Sequence, residues 1–267
     1  MVNLAEAMGA QNPWWLTKNA VKNHPIMQKY EQAKFRKPPN LIHMIQLTND
    51  ALYTLSGPRQ IGKSTSLILI IKKLIDEGND PADILYFSCE NLKEKRLQDL
   101  IEAYLAFRSD SKKRKFIFLD EISHAKDWTE DFLALTNQGK LKDVTVIASG
   151  SHAMEISESV ERLPGRRGQG QSLDKVLLPM KFSEYLDFVE PNFKTILFNH
   201  GLKKAKDRHD KFNKIMSGEI PNELEKIMQY KKFLDDMLND YLISGGIPSV
   251  INEHKVKGEI SNGTFIT

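Results

Sequence analysis

The sequence predicts an α/β fold, a parallel sheet covered by helices on both faces, and three observations predict it. Continuous apolar runs recur at residues 51–55, 84–88, 115–119 and 144–148, without the polar alternation of a half-exposed strand. Between them lie stretches with apolar residues at helical spacing: Leu67, Ile68, Ile70, Ile71, Leu74 and Ile75 in one, Leu97, Leu100, Ile101, Tyr104 and Leu105 in another. A glycine-bounded loop joins the first apolar run to the first helical stretch.

That loop, Gly57-Pro58-Arg59-Gln60-Ile61-Gly62-Lys63-Ser64-Thr65, fits G-x-x-x-x-G-K-[ST] at every fixed position, and the strand before it and helix after it are the context the motif needs. A polyphosphate needs many converging backbone N–H donors, so the loop must be free of Cβ atoms at its tight points; Gly57 and Gly62 supply those. The first N–H groups of the following helix lack intrahelical partners and sit at the positive end of its dipole, which favours a β-phosphate there. Lys63 reaches β/γ oxygens as a point charge, Ser64 offers a hydroxyl to Mg²⁺, and Thr65 lies nearer an α-phosphate. The whole stretch from Gly57 to Thr65 is thus read as holding ATP.

In chain order, residues 1–45 read as a polar N-terminal arm. It carries Trp14-Trp15, taken as buried packing anchors in preference to a stacking platform. The apolar run at 115–119 leads into Asp120-Glu121. Asp120, at a strand's carboxyl end, is placed to hold the Mg²⁺ shell, and Glu121 to act as general base toward an attacking water. Ser149, after the next strand, is read as the polar contact between γ-phosphate and water, with Ser151 as the substitute. Arg166 and Arg167 lie on a glycine-flanked segment and are candidates for an arginine supplied to a γ-phosphate, often across a subunit boundary. A last strand is expected at 175–178. Residues 46–180 then make the core and 181–267 a helical lid, with helices at 182–188, 207–216 and 223–242. Leu224, Ile227, Met228, Leu234, Leu238 and Tyr241 form one stripe there, read as core.

Composition narrows the setting. With 267 residues, 40% hydrophobic and 27% charged, the chain can bury a sizeable core. The net charge of +3 is mild and sits in local runs such as Lys112-Lys113-Arg114-Lys115 and the stretch 203–214, so nucleic acid stays open as a partner without being implied. A single cysteine, Cys89, excludes an internal disulfide and points to a reducing, cytoplasmic setting. No basic n-region with an apolar segment opens the chain, and the longest apolar run, 67–71, is too short to span a bilayer.

The succession of the loop, Leu119-Asp120-Glu121-Ile122, Ala148-Ser149-Gly150-Ser151, Leu163-Pro164-Gly165-Arg166 and Leu178-Pro179-Met180-Lys181-Phe182-Ser183-Glu184-Tyr185 resembles the prokaryotic AAA-superfamily ATPases whose P-loop reads GPRQ-x-GK. The likeness spans most of residues 50–190, and Asn12-Pro13-Trp14-Trp15 is similar to that family's leader. Gly245-Gly246-Ile247-Pro248 is similar to a glycine-x-proline element in the lid of related ATPases, which makes Pro248 a candidate nucleotide contact. The resemblance implies a P-loop NTPase core, five parallel strands in the order 5-1-4-3-2, ATP with Mg²⁺, and a helical lid. It also implies a further C-terminal domain, so the chain reads as truncated at Thr267; nor is there a clear lid arginine.

Three functions compete at this level: an Mg²⁺-dependent ATPase serving as a nucleotide switch for a protein partner, missing domain or homo-oligomer; a regulatory module that holds ATP or ADP without turnover; and a DNA-associated ATPase using the basic runs. A small-molecule kinase ranks last, because Glu121 directly after Asp120 favours water as acceptor.

Overall fold

The computed structural model describes residues 4–92, 95–151, 163, 165, 167–168, 172–201 and 205–260. The chain divides into two compact units: residues 1–33 with 38–178, and residues 34–37 with 179–267.

The first unit is built on five parallel strands, β1 (Ala51–Ser56), β2 (Ile84–Ser88), β3 (Lys115–Asp120), β4 (Val144–Gly150) and β5 (Asp174–Val176), in the order β2-β3-β4-β1-β5. Read from the other edge this is the expected 5-1-4-3-2. The helices preceding and joining the strands are α1 (Leu4–Gln11), α2 (Pro25–Gln32), α3 (Lys63–Asp76), α4 (Leu97–Phe107) and α5 (Trp128–Asn137). β1 lies beside β4, yet the chain leaves β1 for the far edge strand β2, so the loop after β1 opens at the point where the strand order reverses.

Strands buried on both faces explain the continuous apolar runs. One core contains Leu52, Leu85, Phe87, Ile117, Leu119, Val146 and Ala148 with α4 and α5. The alternate residues Tyr53, Leu55, Tyr86, Phe116, Phe118 and Ile147 form the other, with α3 and part of the N-terminal segment. The last strand covers 174–176, not 175–178: Leu178 is 67% exposed and continues no ladder.

The N-terminal segment protects the sheet's free edge. β2 has a neighbour on one side only, so alternate N–H and C=O groups on its other side need partners. Asn12 acts as a surrogate strand there: its Oδ1 accepts from the Tyr86 N–H at 2.6 Å while its Nδ2 donates to the Tyr86 carbonyl at 2.8 Å. The indoles of Trp14 and Trp15 both donate to the Ile84 carbonyl, at 3.1 and 2.8 Å, and Gln11 Oε1 accepts from the Ser88 N–H at 2.8 Å. Trp14 is fully buried by this arrangement.

The second unit is helical: α6 (Phe182–Val189), α7 (Pro191–Asn199), α8 (Ala205–Met216), α9 (Asn222–Ile227), α10 (Lys231–Ser244) and α11 (Pro248–Lys257). Its core gathers Tyr185, Phe188, Val189 and Ile251, with Phe35, Met180, Phe182, Met237 and Tyr241 against them. The single helix expected over 223–242 is two, separated by a 3₁₀ turn at Met228–Tyr230. That tighter turn breaks the 3.6-residue phase. Met237 and Tyr241 therefore pack against the core while Leu238 and Met228, expected in the buried stripe, are 40% and 58% exposed. Among the described residues no helix is long and apolar enough to cross a membrane.

Candidate phosphate-binding site

The loop from Gly57 to Gly62 follows β1 and ends in α3, whose N-cap is Gly62. Two glycines serve different needs. A Cβ on Gly57 would lie 2.3 Å from the Leu177 carbonyl oxygen, so the residue is glycine because another backbone passes too close for a side chain. Gly62, at φ +100°, has open space around it, and its requirement is conformational alone. Between them Pro58, Arg59 and Gln60 are exposed, Gln60 in the left-handed region at φ 61°, and Ile61 is buried. The first intrahelical backbone bond of α3 runs from the Ser66 N–H to the Gly62 carbonyl, which leaves the N–H groups of Lys63, Ser64 and Thr65 ahead of it.

Lys63 is 4% exposed. Its ammonium donates to the Gly57 and Pro58 carbonyls, both at 3.0 Å, and to Ser151 Oγ at 2.9 Å, so all three of its donors are engaged. Glu121 Oε1 stands 3.9 Å away. Burial pulls the Lys63 pKa below the ordinary lysine value; the charges of Glu121 and Asp120 pull the other way, and Arg59 adds to the lowering.

Asp120 closes β3 and is 4% exposed. Hydroxyls from the two flanking strands hold its carboxylate: Ser149 of β4 donates to Oδ1, and Tyr86 of β2 donates to Oδ2 at 2.8 Å. Burial first, then the charge on Asp120, pushes the Tyr86 phenol well above its usual value, so it remains a donor. Glu121 sits in the left-handed region at φ 50°, a sparsely populated conformation that turns the chain sharply out of the sheet. Its Oε1 accepts from Ser151 Oγ at 2.7 Å and its Oε2 from the Ser151 N–H at 3.2 Å.

The structure therefore brings Lys63, Asp120, Glu121, Ser149 and Ser151 together. The two serines meet different partners: Ser149 is fully buried with its hydroxyl on Asp120, while Ser151 bridges Lys63 and Glu121. Arg167 is not brought to this cluster. Its guanidinium pairs with Asp174 at 2.8 and 2.9 Å and reaches Thr54 Oγ1 at 3.3 Å, which ties it to β1 and β5 and holds the Asp174 carboxyl below its usual value. Arg166 lies outside the described residues. Pro248 opens α11 in the second unit. In the basic runs Arg114 pairs with Asp50 at 2.6 Å, Lys115 donates to the Ser111 carbonyl at 2.8 Å and Lys211 pairs with Glu223 at 3.4 Å, while Lys112, Lys113 and Lys214 are exposed. Sequence reasoning gave no part to Tyr86, whose hydroxyl sits in the cluster; an aromatic in a buried strand carries no signal beyond packing.

Among the described residues no cluster of three or more His, Cys, Asp or Glu exists to cage a metal. What is present fits Mg²⁺ taken up together with phosphates: hard oxygen donors only, a hydroxyl on Ser64 at the head of α3 and a carboxylate on Asp120.

A family model described as an AAA domain matches residues 49–186. None of the curated proteins compared with the chain matches it. Among solved structures, a Walker-type ATPase of Pyrococcus abyssi aligns at 14% identity and a TM-score of 0.42, covering 78% of this chain and 63% of that one. The Hsp104:casein complex of S. cerevisiae aligns at 14% and 0.41, covering 69% and 33%. The RuvB Holliday junction branch migration motor of Thermotoga maritima aligns at 18% and 0.36, covering 56% and 44%. The chain thus spans less than two thirds of each of these proteins.

Proposed function

The chain belongs to the AAA-domain family, and from that premise we propose that it binds ATP with Mg²⁺ on the loop from Gly57 to Thr65 and hydrolyses it as a nucleotide switch for a protein partner or a further domain. The observation that carries this reading is the buried Lys63 ammonium, held beneath the loop within 3.9 Å of Glu121 and bridged to it by one serine hydroxyl. On binding, Lys63 exchanges its contacts to the Gly57 and Pro58 carbonyls for β- and γ-phosphate oxygens, and the free N–H groups at the head of α3 point at the β-phosphate. Ser64 and Asp120 would hold Mg²⁺, which supplies charge neutralisation on the β- and γ-oxygens. Glu121 accepts a proton from the water that attacks the γ-phosphorus; the bond to the β–γ bridging oxygen breaks, and ADP and phosphate leave.

The test is a titration of the protein with a fluorescent ATP analogue beside an assay of phosphate release with and without Mg²⁺. Saturable binding with Mg²⁺-dependent release is expected; binding without any release overturns hydrolysis, and no binding overturns the whole reading. Within this reading Ser151, not Ser149, is the hydroxyl that meets the γ-phosphate and the water. Ser151→Ala is then expected to lower the turnover rate roughly tenfold with nucleotide affinity changed less than threefold, as for a single lost transition-state hydrogen bond. Turnover equal to wild type would remove Ser151 from the chemistry.

One observation favours a second reading, the regulatory module without turnover: Ser151 already donates to both oxygens of Glu121, which stabilises the carboxylate and weakens it as a base toward water. ADP that stays bound through purification, with no Mg²⁺-dependent phosphate release, would select it. A DNA-associated role has less support, since Arg114, Lys115 and Lys211 are engaged within the chain; binding to DNA that falls steeply with salt would favour it.

A further inference from the structure

Asp120 ends a central strand, and its two oxygens are taken by hydroxyls from opposite sides, Ser149 on β4 and Tyr86 on β2. Tyr86 pairs with Phe118 in the ladder, so its phenol reaches two residues along the neighbouring strand to meet Asp120 at 2.8 Å. The residue is 3% exposed. Asn12 ties both its N–H and its carbonyl. The His24 ring stands edge-on to its ring at 5.3 Å, with Trp14 backing His24 at 5.9 Å. A continuous set of contacts therefore leads from the N-terminal segment to one carboxylate oxygen.

We propose that Tyr86 is a positioning residue for Asp120: it orients the carboxylate that takes up Mg²⁺ with the nucleotide, and Asn12 holds Tyr86 in the place this requires. The proposal rests on the reading of the site given above. With Ser149 on one oxygen and the Tyr86 phenol on the other, the carboxylate plane is held at both ends and its remaining lone pairs keep one direction; without the phenol it is held at one oxygen only and can rotate about its Cβ–Cγ bond. Outer hydroxyls of this kind set metal affinity by orienting the residue that touches the metal, and losing one costs about ten- to a hundredfold in affinity or activity. The edge-strand hydrogen bonds of Asn12 explain why the tyrosine's own backbone does not give: without them the last strand of the sheet would carry Tyr86 on an unpaired edge.

The test separates this from plain packing by splitting Mg²⁺-dependent from Mg²⁺-independent binding. Affinity for a fluorescent ADP is measured in EDTA and across a Mg²⁺ titration, for wild type, Tyr86→Phe, Asp120→Asn and the double variant. The expected result is a Tyr86→Phe affinity in EDTA within twofold of wild type, and a Mg²⁺ concentration for half-maximal effect raised about tenfold. In the Asp120→Asn background Tyr86→Phe should add nothing further, because the two act as one unit. Asn12→Ala keeps the phenol and loosens its backbone, so it should raise the Mg²⁺ requirement in the same direction by less; it also serves if Tyr86→Phe does not fold. A Mg²⁺ titration of Tyr86→Phe that superimposes on wild type, or an equal loss with and without Mg²⁺, overturns the proposal while leaving the ATP site standing. Wild-type protein that binds no nucleotide overturns both.

Discussion

Glu121→Gln is expected to lower phosphate release by at least about a hundredfold while nucleotide still binds, because the substitution keeps the side chain's shape and removes its basicity. A positioned general base contributes roughly 10²- to 10⁴-fold. The amide oxygen can still accept from the Ser151 N–H, and the amide NH₂ that replaces the other oxygen can donate to Ser151 Oγ, a hydroxyl that also accepts, so the side chain can keep its place. A second consequence follows from charge. In the wild type the Glu121 carboxylate helps to raise a Lys63 pKa that burial lowers. Neutralising it removes that support, so the Lys63 pKa falls further. Phosphate binding needs the ammonium form, and affinity is lost as pH rises through the Lys63 pKa; the loss should therefore begin at a lower pH in Glu121→Gln than in wild type. Steady-state phosphate release at neutral pH and ADP affinity followed upward in pH check the two parts. Release within twofold of wild type would remove Glu121 as the base.

The strands and the glycine loop between β1 and α3 were legible because their signals are local. A continuous apolar run marks a strand buried on both faces, and Lys115-Phe116-Ile117-Phe118-Leu119 is followed by two carboxylates at the end where ligands gather. That Ser149 turns to Asp120 while Ser151 meets Lys63 and Glu121 was not legible, because it depends on where the strand ends. β4 continues through Gly150, two residues beyond the apolar run, so Ser149 is still a strand residue facing the buried carboxylate and Ser151 is the first to leave the sheet. Strand ends set by pairing with a neighbour carry no mark in the strand's own sequence. Arg167 illustrates the same limit: its partner Asp174 lies seven residues on, and only the pairing of β5 with β1 brings Thr54 beside them both. Asn12 is the extreme case. A single carboxamide that completes a strand edge 74 residues away has no period to detect.

Gly57→Ala should be the most damaging small substitution in the loop, and the contrast with Gly62→Ala shows why. At Gly57 the new methyl would sit 2.3 Å from the Leu177 carbonyl oxygen and 3.2 Å from its carbon, at φ +153°. The obstacle is backbone, and it cannot swing aside: the Leu177 N–H is bonded to the Ser56 carbonyl at 2.8 Å, so moving it opens the pairing beside β1. The Gly57 carbonyl in turn accepts from Lys63. Relief of the clash must therefore shift either the strand edge or the cradle. At Gly62 nothing lies within 4 Å of the added methyl, and the cost is the left-handed backbone alone, about 1–2 kcal/mol. Gly57→Ala adds the displaced contacts to a similar strain, for roughly 3 kcal/mol or more. In a chain of this size that corresponds to a fall in melting temperature of about 6–12 °C, against roughly half as much for Gly62→Ala. Nucleotide affinity should drop at least about tenfold in Gly57→Ala, since the loop that shifts is the one that carries the N–H donors. Thermal melts and ADP titrations of the two variants side by side decide it. Equal melting temperatures would mean that the Leu177 carbonyl is not what makes residue 57 a glycine.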